Sequence, residues 1–304
     1  MSGHAVNCQR LKMRDAENVY KEIEIKLKEN YPNLQFCGIG SLGKKAPDAE
    51  TGDIDIAVVI DSKEKLKNIL NTSIGYCIKE INMNTTPKVM SISYSTGYCN
   101  EKYEDIYAQI DFMLVDNLEW AKWRFQSPDL KNGESKYKAD PKVFLQSYMV
   151  SAIPLDMPVE YFEDGETVHI KYKYTLNQEG LYIQKLDYLG KRGKPVKTPT
   201  RENYKYLGNN PKTIMKLIFP TECIIHATPD VLEILNDDYI TEKFVEKAFH
   251  SVEGLWKLLH KAHPYGVNYV KDVEERFYKE YVNNPKSECQ LDPNDFPCMY
   301  YKVA

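Results

Sequence analysis

Residues 53–60, with the sequence Asp-Ile-Asp-Ile-Ala-Val-Val-Ile, constrain the fold most tightly. Alternation in the first half and continuous apolar character in the second half predict a β-strand, with one end facing water and the other in a hydrophobic core. Because strand side chains alternate between faces, Asp53 and Asp55 project together while Ile54 points the opposite way. The chain therefore needs a sheet on which two carboxylates share a surface.

The flanking segments predict a compact α/β unit around this strand. Apolar residues at four-residue steps predict a helix over residues 15–30, capped by Asp15 and ended by the Tyr31-Pro32 pair. A second helix, opening on Ser62, is predicted over 62–70, and further strands are predicted over 34–39, 88–95 and 107–115. We expect an α/β fold of the α+β type, with a small mixed sheet.

Further along the chain, the pattern changes to longer helices and a β-hairpin. Alternating residues on either side of Asn-Gln-Glu-Gly predict paired strands over 167–176 and 180–189. Helices are predicted over 118–125, 141–153, 240–262 and 268–282. We therefore expect an α/β domain over residues 1–125, followed over residues 126–304 by a region of helices and the hairpin.

Composition limits the cellular setting more than the function. The seven cysteines are scattered and include no C-x-x-C pair, which disfavours a zinc knuckle and suits a reducing cytoplasm. No stretch approaches the ~18 apolar residues that a membrane span needs. The net charge of −4 gives no global reason to bind nucleic acid. We expect a cytoplasmic protein without a membrane segment.

The stretch Gly-Ile-Gly-Ser-Leu-Gly-Lys-Lys, residues 38–45, fits three phosphate-binding patterns. As a G-x-G-x-x-G dinucleotide fingerprint it should open a helix, but Pro47 and Gly52 interrupt the polar residues that follow. As a P-loop it should place Ser or Thr after Lys44, where Lys45 stands instead. The context therefore disfavours both of these patterns.

The third pattern is a Gly40-Ser41 turn followed by two carboxylates and a third on a neighbouring strand. Asp53 and Asp55 would repel each other unless cations lay between them, and oxygen ligands of this kind suit Mg²⁺. Asp111 is an isolated carboxylate in an apolar strand, where a buried unpaired charge is costly. It is either the third ligand of this site, a partner in a salt bridge, or a residue at a wet strand end.

Together these residues resemble the DNA polymerase beta-type nucleotidyltransferase superfamily. The resemblance covers residues 34–116, and residues 127–138 are similar to phage-encoded members of the superfamily. It rests on Gly40-Ser41, eleven intervening residues, Asp53-Ile54-Asp55-Ile56, and Asp111 between Ile110 and Phe112. Superfamily members transfer a nucleoside monophosphate from a nucleoside triphosphate (NTP) to a hydroxyl of RNA, DNA, a protein, an antibiotic or another nucleotide.

The resemblance implies roles for individual residues. Asp53 and Asp55 would bind two Mg²⁺ ions, with Mn²⁺ as an alternative, and Asp111 would bind the ion at the attacking hydroxyl and help to deprotonate it. Ser41 and the backbone at Gly40 would hold the β- and γ-phosphates of the NTP. The resemblance also makes residues 1–125 the catalytic core and assigns nucleotide or acceptor binding to the remainder. The alternative is a catalytically inactive nucleotide-binding or interaction module of the same fold.

Basic residues supply further candidates for phosphate contact. Lys44, Lys136 and Lys138 are candidates for binding the triphosphate, with solvated loop lysines as the alternative. Residues 189–206 form the most basic stretch and include Tyr204. Basic residues interleaved with aromatics suit an RNA acceptor, whereas the alternative is a hairpin end carrying solvated lysines.

Overall fold

The computed structural model describes residues 5–161, 167–223, 240–283 and 291–301. The chain divides into two compact units, Met1–Asp140 and Pro141–Ala304. The chain contains both helices and mixed sheets, which confirms the predicted α+β class. Within the described residues, no helix has the length and apolar character that crossing a membrane requires.

The first unit contains seven strands and three helices among the described residues. The strands are β1 (Leu11–Lys12), β2 (Phe36–Gly38), β3 (Glu50–Thr51), β4 (Ile54–Val59), β5 (Ile78–Thr86), β6 (Val89–Cys99) and β7 (Asp105–Val115); the helices are α1 (Met13–Asn30), α2 (Lys63–Ile74) and α3 (Leu118–Phe125). Five of the strands form one sheet with the order β2-β4-β7-β6-β5. Strands β4 and β7 are parallel, and the other neighbours in this sheet are antiparallel. The two short strands β1 and β3 pair with each other separately.

One face of this sheet forms the main hydrophobic core with α1 and α2. Apolar residues of both helices, such as Ile23 and Leu70, pack there against Ile54, Ile110 and Phe112 from β4 and β7. On the opposite face, α3 covers the C-terminal ends of β4 and β7 and forms a smaller hydrophobic cluster with them. The polar residues of the candidate site lie on that same face, ahead of this cluster along β4 and β7.

The predicted elements of the first unit are present, with two corrections. Ser62 caps α2 as expected, since its side chain accepts a hydrogen bond from Lys65 N. Asp15 does not cap α1, because the helix begins at Met13 and leaves Asp15 within its first turn. Strand β5 was not predicted; its sequence carries polar or charged residues on both faces and so lacks the alternation of a half-buried strand.

The boundary between the units lies at 140/141, whereas the sequence placed it at 125/126. The intervening residues are tied to the glycine-rich turn of the first unit. Ser127 N donates to Gly40 O at 2.8 Å, and Lys131 N donates to Lys44 O at 3.0 Å. Backbone pairing of this kind holds residues 126–140 to the first unit beyond the end of α3.

The second unit combines helices with a second sheet. Its elements are α4 (Ala139–Ala152), β8 (Glu160–Tyr161), β9 (Val168–Leu176), β10 (Leu181–Leu189), β11 (Pro195–Gly208), α5 (Pro211–Ile218), α6 (Glu242–Ala248), α7 (Val252–Ala262) and α8 (Val267–Phe277), which continues as one π-helical turn, Tyr278–Val282. The unit begins within α4, and its four-stranded antiparallel sheet has the order β11-β10-β9-β8. The predicted hairpin is confirmed as β9 and β10, and β11 extends it by a third strand.

The prediction of a single helix over residues 240–262 is wrong, since α6 ends at Ala248 and α7 begins at Val252. Ser251 is the N-cap of α7, and its side chain accepts a hydrogen bond from Gly254 N at 3.0 Å. A serine at the N-cap satisfies an N–H group that a new helix would otherwise leave unpaired. The apolar period continues across this break, so periodicity alone did not reveal it.

Candidate metal centre

The structure brings together the three carboxylates singled out in the sequence. Asp53 immediately precedes β4, Asp55 lies in β4, and Asp111 lies in β7. The parallel pairing of these strands places Asp55 directly beside Asp111. Each carboxylate offers an oxygen within 4.8 Å of the oxygens of the other two. All three side chains therefore meet on one face of the sheet, opposite the isoleucines that fill the core.

The close approach of these groups perturbs two of them. Burial, together with the negative charge of Asp111, raises the pKa of Asp53. Burial raises the pKa of Asp55 more strongly, and the charges of Asp53 and Asp111 add to the effect. Like charges at short range disfavour ionisation, and a bound cation reverses that preference. Three convergent, half-buried carboxylates are the oxygen donor set that Mg²⁺ and Mn²⁺ prefer, so the residues fit such an ion.

Gly40 lies directly against this cluster. Its φ angle of +59° falls in the left-handed region, and a Cβ at this position would lie 2.0 Å from Asp55 Oδ2. No other residue type fits here without displacing the carboxylate, because every L-residue other than glycine carries a Cβ. The turn that the sequence assigned to phosphate binding therefore borders the candidate metal ligands.

Hydrogen bonds from three directions hold the turn in place. Ile39 N donates to Asp55 O at 2.9 Å, which ties the turn to β4. Gly40 N donates to Phe125 O at 3.2 Å, and Ser127 N donates back to Gly40 O at 2.8 Å. The backbone at Gly40 is therefore fixed between the sheet and the end of α3, as a preorganised site requires.

The other residues predicted to contact phosphate differ in burial. Ser41 is buried next to Gly40, and its carbonyl accepts from Lys44 N at 3.0 Å, which closes the turn. Lys136 and Lys138 are exposed on the segment that follows α3. Residues 41–44 form a turn and not the start of a helix, in keeping with the predicted interruption.

Lys45 is the lysine whose electrostatics most clearly reflect the site. Burial, together with the nearby positive charge of Lys138, lowers the pKa of Lys45 to about 8, while the negative charge of Asp53 opposes the shift. Its Nζ donates to Glu50 O at 2.7 Å. Two lysines next to one member of the acidic cluster form a local positive region. Such a region suits the phosphates of a bound polyanion.

Gln109 is a site residue that the sequence interpretation missed. It is buried, and its Nε2 lies 3.1 Å and 3.0 Å from the two carboxylate oxygens of Asp111. Its Oε1 accepts hydrogen bonds from Ala5 N at 3.0 Å and from Cys8 Sγ at 3.9 Å. The i, i+2 spacing of Gln109 and Asp111 in a strand was the available signal, because it places both side chains on one face.

Cys8 lies close to the acidic cluster as well. Burial raises the pKa of its thiol, and the charges of Asp111 and Asp53 raise it in the same direction, against a hydrogen bond involving Gln109 that lowers it. A raised thiol pKa keeps the S–H group protonated near neutral pH. Cys8 is therefore a hydrogen-bond donor to Gln109 and not a thiolate.

The basic segment 189–206 forms part of the second unit. Most of it belongs to β11, a strand whose side chains are largely exposed. Tyr204 lies edge-on to Tyr172 with ring centroids 5.3 Å apart, and Tyr206 packs against Tyr182 at 5.0 Å. Tyr206 thus pairs with a ring on the adjacent strand β10 and Tyr204 with a ring on β9, and both tyrosines remain exposed.

Comparison with models of protein families finds no match for this chain, and comparison with curated proteins finds none either.

Proposed function

We propose that this protein is a metal-dependent nucleotidyltransferase that moves a nucleoside monophosphate from an NTP to a hydroxyl acceptor. The observation that carries the proposal is the convergence of Asp53, Asp55 and Asp111 beside a glycine turn that leaves room for only a hydrogen at residue 40. The resemblance of these residues to the DNA polymerase beta-type superfamily supplies the reaction class. The NTP substrate and the scattered thiols agree with the expected cytoplasmic setting.

In this reaction the acceptor oxygen attacks the α-phosphorus, and the bond from that phosphorus to the oxygen bridging to the β-phosphate breaks. The hydroxyl loses its proton, which Asp111 would accept, and pyrophosphate leaves. Asp53, Asp55 and Asp111 would hold the divalent ions. When bound, these ions would lower the pKa of the hydroxyl and neutralise charge on the leaving pyrophosphate.

The residues around the cluster contribute orientation and charge. The rigid backbone at Gly40 would align the β- and γ-phosphates, with Ser41 beside it. Lys45 and Lys138 would neutralise phosphate charge next to Asp53. Fixing the line of attack in this way supplies a large part of the rate enhancement in such displacements.

The alternative is an inactive nucleotide-binding module of the same fold. Such a module would bind NTP without needing all three acidic ligands. The retention of Asp53, Asp55 and Asp111 within mutual reach of one ion favours the active enzyme. The two candidates differ in one outcome. NTP with Mg²⁺ would stabilise either protein against heat, but the inactive module would transfer no label.

The test is transfer of label from α-³²P-labelled NTPs, each supplied with Mg²⁺ and a cell extract as the source of acceptors. We expect incorporation by the natural protein and its loss in Asp53→Asn and Asp111→Asn. Asp105→Asn is the matched control, because Asp105 lies in the same strand as Asp111 and is exposed. Undiminished transfer by either cluster variant would refute the assignment.

We further propose single-stranded RNA as the acceptor, bound on the sheet of strands β9 to β11. Residues 167–208 carry nine Lys and Arg against three Asp and Glu, although the whole chain has a net charge of −4. Exposed Tyr204 and Tyr206 lie among these cations. Lysine and arginine neutralise backbone phosphates, and aromatic rings stack on unpaired bases.

Charge reversal tests this acceptor. The double variant Lys197→Glu, Arg201→Glu should weaken binding of a fluorescent single-stranded RNA and flatten its dependence on salt concentration. The control is Lys243→Glu, Lys247→Glu, which reverses two exposed lysines on α6. Equal weakening by both pairs, or incorporated label that survives ribonuclease but not protease, would exclude RNA at this surface.

A further inference from the structure

Gln109 is a fully enclosed amide with no role in the hydrophobic core. It is 2% exposed, and it lies on the polar face of β7, two residues before Asp111. Both oxygens of the Asp111 carboxylate are within hydrogen-bond distance of its Nε2, at 3.1 Å and 3.0 Å. A hydrogen bond from an amide to an ionised carboxylate is stronger than one between neutral groups. Gln109 therefore restrains the orientation of the Asp111 carboxylate.

The orientation of the Gln109 amide is itself determined by its other neighbours. Ala5 N can only donate, and it lies 3.0 Å from Oε1. The Cys8 thiol also donates to Oε1, at 3.9 Å. With two donors on one side, the oxygen of the amide must face them, and the NH₂ group must face Asp111. A flipped amide would set N–H against N–H and carbonyl oxygen against carboxylate.

The segment that supplies these donors, residues 5–9, is anchored across three strands of the sheet. Asn82 Nδ2 donates to Ala5 O at 2.8 Å, and Ser93 Oγ donates to Asn7 O at 2.8 Å. Gln9 N donates to Tyr107 O at 2.9 Å. These contacts reach β5, β6 and β7 in turn, so the segment is held independently of Gln109.

We propose that Gln109 is a positioning residue for the metal centre, which residues 5–9 orient so that its amide holds the Asp111 carboxylate toward Asp53 and Asp55. The inference rests on the proposed function, since it assumes that these carboxylates bind a divalent ion. Partners of this kind, which hold a metal ligand without touching the ion, typically change affinity by ~10- to 100-fold when removed.

The experiment measures binding of Mn²⁺ alone, by electron paramagnetic resonance without nucleotide, to the full chain and to Gln109→Met. Methionine keeps the length of the side chain but removes both the donor and the acceptor. We expect its Kd for Mn²⁺ to rise by about tenfold and kcat for label transfer to fall, with little change in the KM for NTP. Thr96→Val is the control, because Thr96 is buried in the same sheet and donates to Ile106 O at 2.8 Å, away from the cluster.

The outcomes separate this inference from the proposed function. Unchanged Mn²⁺ affinity in folded Gln109→Met, beside clear binding by the natural protein, would overturn the positioning role and leave the proposed function intact. Absence of Mn²⁺ binding by the natural protein would overturn both. If Gln109→Met shows no thermal unfolding transition, Gln109→Asn replaces it. That variant keeps an amide too short to span Ala5 and Asp111, and the same rise in Kd is expected.

Discussion

A Cβ on residue 40 would lie 2.0 Å from Asp55 Oδ2, so the glycine turn and the acidic cluster are in direct van der Waals contact. Such proximity means that the position of the turn and the position of the Asp55 carboxylate depend on each other. A phosphate held at the turn would therefore lie next to any ion held by the cluster. This relationship makes the turn part of the candidate site.

Gly40→Ala should abolish label transfer and lower the free energy of unfolding by ~1–3 kcal/mol, through both the clash and the positive φ. The matched control is Gly97→Ala. Gly97 has a φ of +72°, but nothing lies within 4 Å of its Cβ position, so it carries the backbone strain without the clash. Urea unfolding should show both variants destabilised by the positive φ, with Gly40→Ala destabilised more because it adds the clash. Transfer assays should show a loss of activity in Gly40→Ala alone.

Asp55→Asn should stabilise the metal-free protein increasingly as pH rises. Asp55 has a raised pKa in the folded state, so the folded state binds more protons than the unfolded state above the ordinary value of ~3.9. This contribution to stability is present at low pH and is lost as pH rises through the folded-state pKa. Urea unfolding in EDTA should therefore show the free energy of unfolding of the variant rising relative to that of the natural protein from about pH 4 to about pH 7.

Mg²⁺ should reverse that order, since a bound cation favours the ionised form of Asp55. With saturating Mg²⁺ the natural protein should be the more stable of the two at neutral pH. Equal pH profiles for the natural protein and Asp55→Asn in EDTA would contradict the raised pKa of Asp55. A lack of any Mg²⁺ effect would argue against an ion at the cluster.

Lys45 should make NTP binding depend on pH. Its pKa is lowered to about 8 by burial, so the side chain loses its positive charge at a lower pH than an ordinary lysine. If the charged form binds phosphate, the KM for NTP should rise by about tenfold between about pH 7 and about pH 9. Lys45→Arg, which stays charged, should show a much flatter profile, and Lys45→Gln should have a high KM throughout.

Glu274 should be essential for the stability of the second unit. Its carboxylate is fully buried and accepts hydrogen bonds from Met299 N, Tyr300 N and Tyr301 N at 2.6, 3.0 and 2.6 Å. His260 Nε2 lies 2.7 Å from the same carboxylate. Glu274→Ala leaves several buried polar groups unpaired and should cost ~3–5 kcal/mol of unfolding free energy.

The neighbouring Glu275 provides the control for that measurement. It forms an exposed i, i+4 pair with Lys279 on the surface of α8 and the turn that follows it. Solvent screens an exposed pair of this kind, so it contributes little to stability and Glu275→Ala should scarcely change the unfolding midpoint. Similar midpoints for the Glu274 and Glu275 variants would contradict the role assigned to the buried carboxylate.

The sequence was sufficient to predict features that depend on local period. Alternation in residues 53–60 predicted that Asp53 and Asp55 share a face, and the structure agrees because a strand has a fixed two-residue repeat. Strand β5 escaped prediction because an edge strand with polar residues on both faces has no such contrast.

The supporting residues of the site depend on contacts between distant parts of the chain. Gln109 acquires its significance from Ala5, which lies 104 positions away in the sequence. The closeness of Gly40 to Asp55 likewise follows from the antiparallel pairing of β2 with β4. Neither relationship has a signature in residue type or spacing alone, so only the folded arrangement reveals it.

The most direct measurement of the central claim compares two labels on one NTP. The protein is incubated with Mg²⁺ and the acceptor fraction, once with α-³²P-NTP and once with γ-³²P-NTP. Nucleotidyl transfer predicts α-label in the acceptor and γ-label in pyrophosphate, with both products lost in Asp53→Asn and retained in Asp105→Asn. Transfer of the γ-label to the acceptor, or α-label transfer that persists in Asp53→Asn, would contradict the account.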